Sequence, residues 1–505
     1  MTATTSNSMT IAISKIPRRP YDDYAEAVTK AITEGGTLLA ALVDPDPSQS
    51  GRHDLFAVIG NRDRTITVFR TLIGNHFPSL TPRCPQFHLF EREIAEQHGL
   101  IADDHPWLKP VRFHQLRNGN KDAWDRDPAT HPLVGEMEYF QVTGDEIHEV
   151  GVGPVHAGVI EPGHFRFQCF GEQVLHLEIS LGYQHRGLEP GLIAAPSPRT
   201  MARIETLAGD TTIGHATAHC RLLEGLADTT VPPRAVTLRQ VALELERLAN
   251  HVGDIGALAG DVGYLPTASF CGRLRGDFLN MTARICGNRF GRGMVRPGGV
   301  LFDIDEVMAS ELLATLAEVS EHTRGAIKLF FNAPSVLGRL DRTGTVRTED
   351  ALSLGITGVA GRACGIDCDV RRRYPMAYEK KQAYPEILGQ KGDVFARAFV
   401  RRREIDASLA ILEETLAELP SGPISTPTGK QSAPDALIIS LVEGWRGRIA
   451  HLGLTDRDGK LRRYKVIDPS FFNWSGLAMA LRNEQISDFP LCNKSFNLSY
   501  CGVDL

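Results

Sequence analysis

The chain has 505 residues, 42% of them hydrophobic and 23% charged, with a formal net charge of −6. That balance suits a globular protein with sizeable cores in two or three domains. It excludes a nucleic-acid surface or a polybasic membrane patch, and no apolar run reaches the roughly 18–20 residues that span a bilayer.

Residues 1–18 are polar and Ser/Thr-rich, without the apolar region of a secretory signal, and are expected to be a flexible tail on a cytoplasmic protein. A helix is predicted over 21–34, followed by strands at 37–43, 55–59 and 65–69, the last two joined by the turn at Asn61-Arg62-Asp63. Residues 19–115 therefore read as a small α+β domain. The polar stretch 116–134 reads as a linker. From 135 to 505 the pattern opens with a strand-like region at 165–181 and continues mainly in helical periodicity. Leu238, Val241, Leu245, Leu248, Val252 and Ile255 recur at 3-4-3-4-3 spacing, the mark of one buried helix face. Residues 312–329 and 394–416 repeat it at bundle-helix length, and 420–434 is a Gly/Pro/Ser/Thr-rich loop. The expected fold class is α+β, with a mainly α second domain built on a central helix bundle and a small N-terminal sheet.

None of the nine cysteines forms a C-x-x-C pair, and the odd count in a long chain favours buried reduced thiols over disulfides. Gly291-Arg292-Gly293 and Pro297-Gly298-Gly299 follow no strand of a βαβ unit, so neither reads as a nucleotide loop. Glu244, Arg247, His251 and Asp254 lie one position before the apolar stripe and read chiefly as an ion-pair network, with a proton relay as the alternative.

Several segments carry a family resemblance. They include Gly153-Pro154-Val155-His156, Glu161-Pro162-Gly163-His164, Gly182-Tyr183-Gln184-His185-Arg186-Gly187, Asp468-Pro469-Ser470-Phe471, and the final stretch from Asp488 to Leu505. They occur in the order found in nickel–iron hydrogenase large subunits of the energy-converting, formate-hydrogenlyase type and in the homologous quinone-site subunit of respiratory complex I. Around Phe90-Glu91-Arg92-Glu93 and Asp104-His105-Pro106-Trp107 the first domain resembles the small peripheral-arm subunit of complex I, fused here to the large one.

The resemblance implies two C-x-x-C pairs as metal ligands, but Ala208, Thr211, Ser499 and Gly502 occupy those positions, with Cys501 one residue out of frame. Nickel and iron in such a site need soft thiolate donors, which alanine, glycine and protonated hydroxyls do not supply. No metal is therefore expected. The chain stops three residues past Gly502, so no extension for a maturation protease is expected.

By resemblance to complex I, the vacated cavity implies a quinone as the small redox ligand. It further implies an iron–sulfur cluster in a partner small subunit, integral membrane subunits as further partners, and a peripheral place on the inner face of the cell membrane. The tyrosine that faces the complex I site falls near residues 209–211, where this chain has none; Tyr500 is the aromatic hydroxyl nearest the former metal site. Candidate site residues are His156, Glu161, His164, His215, Arg362 and Tyr500. Histidine suits proton donation at physiological pH. Glu161 matches the hydrogenase proton-relay glutamate and reads otherwise as a loop carboxylate; His215 lines the cavity or packs beside it. Arg362 matches an arginine over the metal site, where it would hold an anionic ligand, and reads otherwise as a structural salt bridge. The implied function is the large subunit of a complex that couples electron transfer to ion translocation. The alternative is a non-catalytic structural or assembly subunit.

Overall fold

The structure, a computed structural model, describes residues 3–46, 48–117, 122–124, 126, 132–156, 160–193, 198–375, 384–429 and 432–505. The first predicted helix runs Tyr21–Thr33 and buries Tyr24, Ala25 and Val28. The three predicted strands are found at Thr37–Pro45, His53–Gly60 and Ile66–Ile73, paired antiparallel in that order. The first two are buried along almost their whole length, as a sheet covered on both faces requires.

The tail expected over residues 1–18 is, from Ala3 onward, built into two sheets. Ala3–Thr5 pairs with Ile66–Ile73, and Thr10–Ala12 pairs with Ala436–Glu443 near the other end of the chain. Between them Asn7 mimics a strand residue: its Nδ2 donates to the Leu441 carbonyl at 3.0 Å while its Oδ1 accepts from the Leu441 N–H at 2.8 Å. A Ser/Thr-rich stretch looks unstructured when its hydrogen-bond partners lie 434 residues away. Of the expected linker, residues 118–121, 125 and 127–131 lie outside the described residues.

The strand-like region at 165–181 is a hairpin of His164–Phe170 and Gln173–Ser180, with Ile147–Val152 as third strand. The first two predicted helices are the middles of longer ones, Pro233–Asp261 and Glu306–Asn332, and the third is found almost as expected, at Val394–Ala417. Asp305 and Asp393 start the last two by accepting the N–H groups of Met308 and Ala396 at 2.8 and 2.7 Å. Together with Leu265–Cys286 they pack as a bundle.

The expectation of a mainly α second domain misses a whole sheet. Ala436–Glu443, Arg448–Thr455 and Leu461–Ile467 run antiparallel, closed on the outer edge of the first by Thr10–Ala12. Apolar runs broken at Gly444-Trp445-Arg446-Gly447 and at Asp458-Gly459 are the signal that identifies it. The fold is mixed α+β. Residues 420–434 form the expected loop where described; 430 and 431 lie outside. Among the described residues no helix is long and apolar enough to cross a membrane.

Candidate functional site

Two segments far apart in sequence meet in the interior. One is the turn 208–211 ahead of the Thr212–Leu226 helix; the other is the C-terminal stretch after the Phe489–Phe496 helix. That second helix ends at Asn497, which holds the left-handed conformation (φ 48°) and sends its N–H to Asn493 O at 2.9 Å. Arg446, from the tight turn between two strands, ties the segments together. It forks onto Asp210 at 2.6 and 2.7 Å, reaches Thr211 Oγ1 at 3.2 Å, and donates through Nε to the Asn497 carbonyl. Its guanidinium lies 3.9 Å from the centroid of the Trp445 ring, whose Nε1 donates to Asp210 O and Thr211 Oγ1, both at 3.1 Å. Gly358 permits this turn: a Cβ there would stand 1.9 Å from the Arg446 carbonyl oxygen.

The four positions that the resemblance assigns to metal ligands carry no thiolate, and the last has no room for one. Ala208 is buried and offers no donor atom. Thr211 is held by Asp210, Trp445 and Arg446. Ser499 Oγ accepts the Gly502 N–H at 2.9 Å. A Cβ at Gly502 would lie 2.9 Å from both Asp468 Cγ and Ser499 Oγ. Carboxylate and hydroxyl thus fill the space that a cysteine would take, and the residues present do not fit a nickel–iron centre. Among the described residues no three His, Cys, Asp or Glu side chains converge as a metal-holding group.

Asp468 begins a buried hydrogen-bonded chain. Its Oδ2 meets His215 Nε2 at 3.1 Å, and His215 Nδ1 meets His451 Nε2 at 3.0 Å. His451 Nδ1 meets the Tyr464 hydroxyl at 2.8 Å, which meets His219 Nδ1 at 2.7 Å. Burial pushes the Asp468 carboxyl upward, but the bond to His215 and the charge of Arg446 hold it below its ordinary range, so it is an acceptor. Burial drives His451 well below its usual value and His219 down to about 4. For a neutral His215, one proton arrangement satisfies all links: His219 Nδ1–H to Tyr464 O, Tyr464 O–H to His451 Nδ1, His451 Nε2–H to His215 Nδ1, and His215 Nε2–H to Asp468. His219 Nε2 is left buried without a partner at the far end.

The predicted residues separate into groups. Glu161 and Tyr500 meet: the Tyr500 N–H donates to Glu161 Oε2 at 3.3 Å. Burial, then the Glu161 carboxylate, push the neighbouring Cys501 thiol up to about 12. His156 stands one layer away, its Nε2 at 2.9 Å from Gly163 O, while a Cβ on Gly163 would be 2.6 Å from Tyr500 Cε1. His164 lies outside this group. Its strand neighbour Phe165 packs toward Tyr500, so alternation turns His164 to the other face, where Arg166 Nε donates to its Nε2 at 3.1 Å and Tyr139 packs at 5.5 Å. His215 sits behind Gly502 through Asp468. Arg362 bridges Glu404 at 2.5 Å and Glu443 at 2.7 Å in a separate buried network that also holds Arg247, Glu244 and His251. Arg446, rather than Arg362, spans the two segments.

Sequence reasoning missed Arg446, Asp210, Asp468, His451 and Tyr464 as site residues; only the Asp468-Pro469-Ser470-Phe471 motif and the segment from Ala208 to Thr211 pointed to any of them. It also missed Glu246. That carboxylate caps the Thr212–Leu226 helix by accepting Ile213 N–H at 2.7 Å and Gly214 N–H at 3.2 Å, yet burial pushes it up to about 8.

Residues 261–505 match the family model described as the respiratory-chain NADH dehydrogenase, 49 Kd subunit. The chain is 28% identical over 450 residues to hydrogenase-4 component G of Escherichia coli, covering 85% of this chain and 76% of that one. It is 30% identical over 387 residues to the C/D subunit of the NADH-quinone oxidoreductase of Bacteroides thetaiotaomicron (71% and 72%). It is also 28% identical over 352 residues to the carbon monoxide-induced hydrogenase of Rhodospirillum rubrum (69% and 97%). The chain belongs to the family that unites energy-converting hydrogenase large subunits with the 49-kDa subunit of complex I.

Proposed function

We propose that this chain is the large subunit of a membrane-associated oxidoreductase complex, of complex I or hydrogenase type, in which nickel–iron chemistry has been lost. It couples electron transfer, with a quinone as the small redox ligand, to ion translocation. The observation that carries this reading is the contact between Gly502 and the Asp468 carboxylate, which leaves no place for the last thiolate. An iron–sulfur small subunit supplies the electron path, membrane subunits move the ion, and the chain sits at the inner membrane face through them. Relatives named as a hydrogenase component and as an NADH-quinone oxidoreductase subunit support that setting.

Within this reading, Glu161 and the Tyr500 hydroxyl are the groups that meet the ligand. The hydroxyl is pushed up to about 12, chiefly by burial, and so remains a neutral donor near pH 7. The chain from His219 to Asp468 passes a proton without displacing any heavy atom. A proton arriving at His219 Nε2 shifts each link by one bond and leaves His215 protonated beside Asp468.

The second reading, a structural or assembly subunit without a substrate of its own, is favoured by the close approach of Gly163 to Tyr500, which leaves little space between the His156 loop and the C-terminal turn. Protection of the His156 loop by a quinone analogue supports the first reading; indifference to such ligands supports the second. The primary test is nickel content per chain in protein purified with its iron–sulfur partner. Nickel well below stoichiometric is expected, and one nickel per chain overturns the proposal.

A further inference from the structure

A cavity of about 510 Å³ lies where the first domain meets the second, between the His88–His98 helix, the Gln173–Ser180 strand and the Ser470–Ala480 helix. Its size is that of a small-molecule site, roughly 300–1,000 Å³. The walls are largely apolar, with Trp107, Phe140, Ile179 and Phe471 among them. Into these walls the His88–His98 helix sets Arg92, a buried cation without a counter-ion.

Arg92 is 8% exposed, and among the described residues no carboxylate comes within 4 Å of it. Its Nε and Nη2 donate to the carbonyls of Lys109 and Pro110, both at 2.8 Å, and the guanidinium stacks over Trp107 at 5.5 Å. Those bonds orient it and neutralise nothing. The nearest acids are already engaged: Glu96 takes the backbone N–H groups of Arg112 and Phe113, and Glu178 takes Lys109 at 2.9 Å and the Phe140 N–H at 2.7 Å. Burial pulls the guanidinium down to about 10, outweighing the longer-range charges of Glu178 and Glu96, neither of which forms an ion pair with it. A second polar atom in the lining is unsatisfied: His176 Nε2 is buried without a partner, its ring packed on Phe140 at 4.6 Å.

A buried unneutralised guanidinium and a free imidazole nitrogen in an apolar chamber are complementary to an anion that carries its own apolar body. We propose that this cavity binds a single-chain anionic amphiphile, its headgroup on Arg92 and His176 and its chain along the apolar walls. A bound chain bears on the candidate site from behind. Trp474, in the same wall, donates from Nε1 to Ser499 O at 3.2 Å and packs on the Tyr500 ring at 4.8 Å. The inference stands independently of the quinone reading.

The test titrates the full-length chain with palmitate, hexadecanol and acetate by calorimetry. Saturable one-to-one binding of palmitate is expected, at least tenfold tighter than hexadecanol, with none for acetate. Arg92→Met should bring palmitate to the level of hexadecanol, and Arg92→Lys should restore much of the difference. Ala478→Trp, which fills the chamber from the Ser470–Ala480 helix, should abolish both while leaving the circular dichroism spectrum unchanged. Absence of saturable palmitate binding to the wild type, or equal palmitate affinity in Arg92→Met, overturns the proposal. Binding of acetate alone as tightly as palmitate overturns it too, since the chain would then contribute nothing.

Discussion

Gly502 presses its Cα against the side chain of Asp468, so closely that a Cβ on it would lie 2.9 Å from the Asp468 carboxyl carbon. The ionised Asp468 carboxylate thus occupies the space that a side chain at position 502 would need. The carboxylate is itself held by His215 at 3.1 Å and by the Ser470 N–H at 2.8 Å, so it cannot swing away cheaply.

Restoring the cysteine alone should therefore destabilise the protein. Gly502→Cys is expected to cost about 1–3 kcal/mol, the usual penalty for overpacking a filled site. Asp468→Ala should relieve the contact on the carboxylate side while that with Ser499 Oγ remains, so the two changes should be non-additive in a double-mutant cycle read by denaturant unfolding. Additive costs would show that Asp468 does not fill the space beside Gly502.

Glu161 is bonded to the Tyr500 N–H and lies against the Cys501 thiol, which burial and that carboxylate together push up to about 12. Glu161→Gln keeps an acceptor but removes the charge. Turnover of the assembled complex should fall while the melting temperature stays near wild type. Cys501 should also become easier to ionise, and its alkylation should speed up and set in at lower pH. Unchanged turnover removes Glu161 from the mechanism; an unchanged alkylation profile removes it from the surroundings of Cys501.

How much of the fold and site is legible in the sequence depends on the range of each interaction. The Leu238-to-Ile255 stripe predicts its helix because every apolar contact repeats within one or two turns. The Glu161–Tyr500 encounter is half visible, since both residues sit in motifs of the family. Asn7 bonding Leu441, or Arg446 joining Asp210 to Asn497, depends on partners more than 50 residues apart, with no local pattern in their favour. The sheet from 436 to 467 is a different case. Its turns and apolar runs are present in the chain, but the helical periodicity on either side outweighs them.

Glu246 gives a pH dependence with a defined sign. Its carboxyl is pushed up from 4.5 to about 8, by burial first and by Asp210, despite the two backbone N–H groups that it accepts and the charge of Arg247. Between those values the folded protein holds a proton that the unfolded chain has released. Its contribution to stability is present below about pH 4.5 and is lost progressively as pH rises toward 8. Glu246→Gln, which keeps one of the two acceptors, should flatten that slope, and the variant should melt above the wild type at pH 8.5 but not at pH 4. Parallel melting curves across the range would show that Glu246 titrates normally.

The direction of the buried chain can be read by its tautomers. With neutral rings, His215 and His451 carry their protons on Nε2 and His219 on Nδ1, because Asp468 can only accept and each link fixes the next. Nitrogen-15 shifts of selectively labelled imidazoles distinguish the two forms. Tyr464→Phe removes the hydroxyl on which the second half depends, at 2.8 Å from His451 and 2.7 Å from His219. It should cost about 1–3 kcal/mol, the penalty for leaving buried polar atoms unpaired. It should also release His219 from the Nδ1–H form while His215 keeps Nε2–H toward Asp468. In the assembled complex the same change should slow proton-coupled turnover, since a proton entering at His219 can no longer pass to His451. A wild-type His219 protonated on Nε2 alone, with His215 neutral, would break the order of the chain and end its role as a proton path.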